Sequence, residues 1–208
     1  MSFKSNWKQF SQKKLNLIIL AATFLILIIV LNLFARFLLY VEVRHGVVLP
    51  DLLFKLFAAQ DFNTPIFILI YGSLITGLIS LIPHPKYLLL ALQTYIIMVL
   101  FRFVAMSLMP LEVPEGIINL RDPLVFTLGT GQIITKDLFL SGHIASLTIL
   151  FLTAINKYLK WMFLVFVILV GVMIFLQKAH YTIDMITAPF FAYAAYVIAK
   201  KINKLKEL

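Results

Sequence analysis

The chain contains no cysteine, and only 13% of its 208 residues carry a charge. The lack of cysteine excludes disulfides, thiolate catalysis and zinc sites built on cysteine. Soluble domains carry about 25% charged residues, so the small charged share excludes an ordinary soluble enzyme. A hydrophobic share of 62% and a mean hydropathy of +1.00 exclude disordered and collagen-like chains. The composition leaves an integral membrane protein.

Six apolar stretches meet or approach the length of about 20 residues that a helix needs to cross a hydrocarbon core. They are residues 15–41, 65–82, 87–109, 138–155, 159–176 and 181–199. The sequence therefore predicts an all-α polytopic membrane protein, a bundle of six transmembrane helices forming one domain over residues 1–208. We expect the first stretch to be retained, because its apolar run is too long for a signal peptide and no small-residue cleavage site follows it.

The basic residues predict the orientation of these spans. With the N-terminus in the cytoplasm, one side of the membrane holds Lys4, Lys8, Lys13, Lys14, Lys86, Lys157, Lys160, Lys200, Lys201, Lys204 and Lys206. The other side holds only Arg44, Lys55, Arg121, Lys136 and Lys178. This positive-inside pattern predicts that both termini are cytoplasmic and that the long connections 42–64 and 110–137 lie outside. The net charge of +9 is therefore explained by basic residues that set the topology and contact anionic lipid headgroups, and we expect no nucleic-acid partner.

Ionisable residues within or beside the spans point to a site, because such groups are costly in a membrane. They are Arg36, Arg102, His143, His180 and Asp184. The predicted topology places all five near the outer boundary. His180 and Asp184 are four residues apart, a spacing that lets the carboxylate bond one imidazole nitrogen and leave the other free to react. Ser141 and Gly142 precede His143 at a helix start, where unpaired backbone N–H groups favour an anion. These groups predict a phosphate site with an acid–base pair.

Other interpretations of these residues stay open at this point. Two histidines and a carboxylate can hold a metal as a facial triad, although no HExxH-type pattern supports one. A proton relay in a transporter is a further interpretation, although the polar groups do not continue through the midplane. Arg36 alone is typical of an interfacial anchor, and His45 and His84 are typical of interfacial residues. Lys178 fits either the water boundary or a phosphate contact.

Two segments carry a resemblance to a known family. Phe139-Leu-Ser-Gly-His143 and His180-Tyr-Thr-Ile-Asp184 resemble the catalytic motifs of sphingomyelin synthases and their relatives. These enzymes belong to the type-2 phosphatidic acid phosphatase (lipid phosphate phosphatase) superfamily. Residues 101–114 are similar to the segment that precedes the first histidine in that family.

The resemblance implies a role for each residue of the triad. His180 would be the nucleophile, Asp184 its orienting partner and His143 the general acid and base. It further implies transfer of a phosphorylated headgroup, through a phospho-histidine, from a phospholipid donor to a lipid alcohol such as ceramide or diacylglycerol. The site would face the periplasm, lumen or exterior, and we expect neither a metal nor a cofactor.

Two positions depart from the phosphatase motifs. Tyr95 stands seven residues before Arg102, where the phosphatases have a lysine. Ile174 stands six residues before His180, where they have an arginine. The missing cations favour the synthase-like branch, whose substrate carries one negative charge, and leave Arg102 and Lys178 as candidate phosphate ligands. A lipid phosphate phosphatase and a non-enzymatic lipid transporter are the alternative functions.

Overall fold

The computed structural model describes residues 3–203, which fold into seven α-helices. They are α1 (Phe3–Ser11), α2 (Lys14–Val43), α3 (Asn63–Leu81), α4 (Pro85–Leu108), α5 (Gly142–Thr153), α6 (Lys157–Leu176) and α7 (Thr182–Ile202). Within this range the only strand-like pairing is an isolated bridge between Val47 and Leu111. The predicted all-α polytopic membrane fold is confirmed. Lys204 and Lys206, two of the lysines that predict the topology, lie outside the described residues.

Five of the helices are long and apolar enough to cross a membrane. These are α2, α3, α4, α6 and α7, which contain 30, 19, 24, 20 and 21 residues. Apolar helices suit a bilayer because they satisfy their backbone hydrogen bonds internally. Large apolar side chains such as Leu25 and Ile28 on α2 and Ile168 on α6 are exposed. Lipid rather than water would cover them.

The predicted fourth span, 138–155, is shorter in the structure. Its helix, α5, has only 12 residues, which give about 18 Å of rise against the ~30 Å of a hydrocarbon core. It begins late because Phe139 and Leu140 have φ angles of 62° and 77°, left-handed conformations that a right-handed helix cannot include. Among residues 3–203 there are thus five helices of spanning length where the sequence predicts six.

The short helix α5 lies at the centre of the bundle. It packs against α3, α4, α6 and α7, and most of its side chains are buried. The facing side of α7 carries a stripe of fully buried alanines at spacings of three or four residues: Ala188, Ala192, Ala195 and Ala199. Small side chains at this spacing let helix backbones approach closely, which is how membrane helices commonly pack. Close packing around α5 fixes the position of its first turn.

Helix α1 lies across the turn between α3 and α4. Trp7 donates its indole N–H to the carbonyl of Ile82 at 2.8 Å, and Asn6 donates to the carbonyl of Pro83 at 3.0 Å. Phe10 packs with residues of α2 and α4. The sequence alone indicates only a basic segment here and no helix.

The connection between α4 and α5 covers one end of the bundle. It contains a π-helical turn, Val125–Thr130, which packs against α2. Near its end, the carboxylate of Glu42 on α2 accepts hydrogen bonds from the backbone N–H groups of Thr135 and Lys136, at 2.9 and 3.0 Å. The Lys136 ammonium then forms an ion pair with Glu112 at 2.8 Å. These contacts hold the connection over the residues described next.

Candidate active site

His143 and His180 meet at one small cavity. His143 lies in the first turn of α5 and His180 lies two residues before α7, and their ring centroids are 6.5 Å apart. The cavity has a volume of about 40 Å³, and residues 132–135 of the α4–α5 connection form part of its wall. Because a single water needs about 10–15 Å³, the space suits a small polar group. The structure therefore brings the two predicted histidines together.

Asp184 lies behind His180 and contacts one of its ring nitrogens. The Nδ1 atom of His180 is 3.5 Å from Oδ2 of Asp184, and both side chains are almost fully buried. His180 precedes the helix, so the contact does not come from two residues on one helical face. Instead, Asp184 in the first turn of α7 also accepts a hydrogen bond from the N–H of Tyr181 at 3.2 Å. This arrangement points Nδ1 towards the carboxylate and leaves Nε2 for a substrate.

Several buried polar atoms around the triad have no hydrogen-bond partner among the described residues. They are Oγ of Ser141, Nδ1 of His143, Nδ1 of His180 and Oδ1 of Asp184. Buried polar atoms are nearly always paired, so unpaired ones call for an explanation such as a bound group or water. Their concentration around the two histidines is consistent with a site that binds a polar ligand.

The backbone is strained beside both histidines. Phe139, Leu140 and Lys178 are the non-glycine residues with positive φ in the range 3–203, and each lies within four positions of a catalytic candidate. Such conformations cost about 1–3 kcal/mol each and persist only where the surrounding structure enforces them. Leu140 is completely buried, which shows how firmly this turn is held. Strain of this kind is typical of functional sites.

Arg102 reaches the start of α5 beside Gly142, but neither it nor Ser141 or Gly142 is among the residues that line the cavity. Its side chain is buried, forms an ion pair with Asp137 and stacks on Phe34, with Cζ 4.7 Å from the ring centroid. Gly142 makes this approach possible, because a Cβ atom there would lie 2.5 Å from Nη1 of Arg102. The glycine of the Ser-Gly-His segment thus provides space for the guanidinium.

Asp122 contacts His143, although it is not among the site residues predicted from the sequence. Its Oδ2 lies 3.1 Å from Nε2 of His143, and the Tyr71 hydroxyl donates to its Oδ1. Burial alone would raise the pKa of Asp122, but the hydrogen bond and charge of His143, with further bonds from Tyr71 and the N–H of Val125, lower it to about 2. The carboxylate is therefore ionised at neutral pH. The sequence shows several acidic residues in the 110–137 connection, but it does not show which of them folds back onto His143.

Lys178 and Arg36 are not brought to the cavity. The ammonium of Lys178 donates to the carbonyl of Phe54 at 2.8 Å and lies over the ring of Phe57 at 5.2 Å. Arg36 is exposed on α2. Lys178 thus joins two connections of the chain, and Arg36 has the position expected of an interfacial anchor.

The structure does not form the cluster that a facial-triad metal site needs. Over residues 3–203, no group of three or more histidines and carboxylates is arranged to hold a metal ion. The two histidines share the cavity with the carboxylates of Asp122 and Asp137 instead.

One comparison with known proteins bears on this site. Residues 136–201 match the family model described as PAP2 superfamily C-terminal. The matched segment is about a third of the chain and contains α5, α6, most of α7 and all of the predicted triad. It supports a relationship to the type-2 phosphatidic acid phosphatase superfamily, without distinguishing a sphingomyelin synthase-like branch. Neither the comparison with curated proteins nor that with solved structures finds a match.

Proposed function

We propose that this integral membrane protein transfers a phosphorylated headgroup from a phospholipid to a lipid alcohol such as ceramide or diacylglycerol. The observation that carries the proposal is the pairing of His143 and His180 at one cavity, with Asp184 against the far nitrogen of His180. The family match supports the coarser statement, that the protein is a lipid phosphatase or phosphotransferase. The lack of cations at the positions of Tyr95 and Ile174 supports the more specific statement, that the reaction is transfer of a headgroup to a lipid alcohol.

The first step makes a phospho-histidine. Nε2 of His180 attacks phosphorus, and the bond between phosphorus and the glycerol oxygen of the donor breaks. His143 gives a proton to that oxygen, so that diacylglycerol leaves as a neutral alcohol. Asp184 keeps Nδ1 of His180 oriented and stabilises the positive charge that develops on the ring.

The second step returns the headgroup to an acceptor. His143, now neutral, takes the proton of the acceptor hydroxyl while its oxygen attacks phosphorus and the bond to Nε2 of His180 breaks. Both histidines are restored to their starting protonation states. A small cavity that residues 132–135 partly cover favours this transfer over hydrolysis because it limits the access of water.

The negative charge on the phosphoryl oxygens needs fixed positive partners. Arg102 supplies one, and the N–H groups at the start of α5 supply others, beside the hydroxyl of Ser141. Gly142 admits the guanidinium to this place. Lys178 takes no part in this scheme, since its ammonium is engaged by the carbonyl of Phe54.

We place the site on the extracytoplasmic side. Lys86, at the start of α4, and Lys157 and Lys160, at the start of α6, mark the opposite end of the bundle from the two histidines. Basic residues gather on the cytoplasmic side of membrane proteins. Both termini are accordingly cytoplasmic, and the covering connection 109–141 faces the periplasm, lumen or exterior.

A lipid analysis of the purified protein tests this function. Mixed micelles would contain phosphatidylcholine and phosphatidylethanolamine as donors or phosphatidic acid as an alternative substrate, each with and without ceramide or diacylglycerol. We expect a new phospholipid that requires the acceptor and is absent with His180→Ala. His84→Ala is the matched control, since His84 lies at the α3–α4 turn against Asn6 and should keep full activity.

The other outcomes of this assay are equally informative. Inorganic phosphate released from phosphatidic acid without an acceptor would replace the proposal with a lipid phosphatase. Normal turnover by His180→Ala would contradict both reactions. Lipid movement across vesicles without any chemical change, tolerant of the loss of His143, would instead establish a transporter.

A further inference from the structure

A groove opens between α6 and α7 on the outside of the bundle. Helix α6 packs mainly on α5, helix α7 packs on α4 and α5 alike, and the two hardly touch each other, which leaves a gap of about 370 Å³ between them. Its walls are almost entirely apolar and include Gly171 and Phe175 from α6 and Met185 and Pro189 from α7. Ile144 of α5 forms part of its floor. Because both walls are helices of spanning length, the groove opens towards lipid.

The groove is elongated along the helices and begins beside the active site. From Thr182 to Pro189 it follows α7 for seven residues, or about 10 Å. That length is about a third of a hydrocarbon core of ~30 Å. Thr182, at the end near the site, is only two residues after His180.

The first turn of α5 separates the groove from the cavity of the two histidines. His143 lines the cavity, whereas the next residue, Ile144, lines the groove. Likewise Asp184 contacts His180, whereas its neighbour Met185 lines the groove. A molecule in the groove is therefore one layer of side chains away from the site.

One polar atom stands out in this apolar setting. The hydroxyl of Thr182 is buried and has no hydrogen-bond partner among the described residues. It lies at the site end of the groove, behind a surface that is almost entirely apolar, and a rotation about χ1 of Thr182 would turn it towards the groove. An acyl chain with an ester or amide carbonyl at its upper end has the same distribution of polarity.

We propose that this groove holds a hydrocarbon chain of the donor lipid, with the Thr182 hydroxyl donating to the carbonyl at the top of that chain. This inference rests on the proposed function, because it assigns the chain to the lipid whose phosphate enters the cavity. The groove fixes the depth of that lipid and thereby presents its phosphate to His180.

Photolabelling tests the occupant without requiring turnover. The full-length protein in nanodiscs would be irradiated with a phosphatidylcholine that carries a diazirine on its acyl chain, and labelled residues mapped by mass spectrometry. We expect labelling concentrated on residues 167–175 and 185–189, several-fold above the exposed face of α2 at 25–33. Equal labelling of the groove and of α2 would overturn the proposal.

A filled groove provides the matched comparison. Gly171→Trp should reduce labelling of the groove several-fold, because the new side chain occupies the space. Gly72→Trp is the control: Gly72 lies mid-way along α3, and a Cβ there meets no atom within 4 Å. Undiminished labelling in Gly171→Trp would contradict the proposal. If that variant does not fold, the comparison of groove and α2 labelling in the wild-type protein still tests the proposal.

Kinetics separate this inference from the proposed function. Gly171→Trp should raise KM for long-chain donors about tenfold and leave turnover of a dihexanoyl donor nearly unchanged. Concentrated labelling without any turnover by the wild type would refute the proposed function alone. Normal turnover with dispersed labelling would refute the groove alone. A change in oligomeric mass in Gly171→Trp, with lipid labelling unaltered, would show that a second copy occupies it.

Discussion

Replacing Gly142 by alanine tests how the start of α5 and Arg102 depend on each other. The added Cβ would lie 2.5 Å from Nη1, 2.8 Å from Cζ and 3.1 Å from Nη2 of Arg102. The guanidinium must therefore move. It has little room to do so, because it is 6% exposed and is held between the ring of Phe34 and the carboxylate of Asp137.

The cost of this movement follows from the contacts that it disrupts. A hydrogen bond to a charged group is worth about 1.5–3 kcal/mol, and a cation–π contact adds roughly 0.5–2 kcal/mol. The higher helix propensity of alanine returns up to about 1 kcal/mol. We expect Gly142→Ala to lower the free energy of unfolding by about 1–3 kcal/mol. If Arg102 binds the phosphate, kcat/KM should fall about 10²-fold, since a misplaced transition-state donor costs that much.

A double-mutant cycle checks the reasoning with thermal unfolding and headgroup-transfer rates. Gly142→Ala, Arg102→Ala and the double variant would be compared, with Gly72→Ala as the control that should keep wild-type activity and stability. Because Gly142 acts through the guanidinium, the alanine should cost little once Arg102 is gone. Full additivity in the cycle, or wild-type activity of Gly142→Ala alone, would refute this account.

Three further perturbations test the parts of the fold that hold the site. The pKa of Asp122 is lowered to about 2, so its carboxylate adds roughly 2 kcal/mol to the free energy of unfolding above pH 4, and this contribution is lost as the pH falls towards 2. Asp122→Asn should remove that acid-dependent loss. Thermal unfolding between pH 4 and pH 2 measures it, and an equal fall in Tm for both proteins would contradict the prediction. Gln177→Ala should destabilise the protein by about 1–3 kcal/mol, because the partly buried Phe62 N–H loses its acceptor, Oε1 of Gln177 at 2.9 Å. Thermal unfolding measures this loss, and an unchanged Tm would contradict the prediction. Gly46→Ala should lower the stability at least as much, since the new Cβ would lie 2.5 Å from the backbone of Leu111, which cannot rotate away as a side chain can. The α4–α5 connection should then be cleaved more readily by proteases, and wild-type resistance to cleavage would contradict the prediction.

The sequence was sufficient for the parts of the protein that depend on hydropathy and local spacing. Five of the six predicted spans correspond to helices of spanning length, because lipid imposes a long apolar run on each. The close approach of His143, His180 and Asp184 followed from placing the polar residues at one depth. Arg102 was expected near them for the same reason.

Features that depend on backbone turns and long-range contacts could not be predicted. Phe139 and Leu140 are as apolar as a membrane helix, and nothing in their hydropathy reveals a left-handed turn. Asp122 contacts His143 across 21 positions of the chain, and Asp137 contacts Arg102 across 35. Such pairs are decided by the path of the long connection. Lys178 shows that a position close in sequence to the site does not ensure a role there. It lies two residues before His180 and was therefore a candidate phosphate ligand, but its ammonium donates to the carbonyl of Phe54.

The length of helix α2 predicts that the site responds to the thickness of the bilayer. Its 30 residues extend about 45 Å, some 15 Å more than a typical hydrocarbon core, so it must tilt or project. Its projecting end carries Glu42, which holds the chain one position before Asp137, the partner of Arg102. A thicker membrane that makes α2 more upright would pull on this tether. The protein should therefore work best in lipids of one chain length, and a series of vesicles with increasing acyl length would show an optimum rather than a plateau.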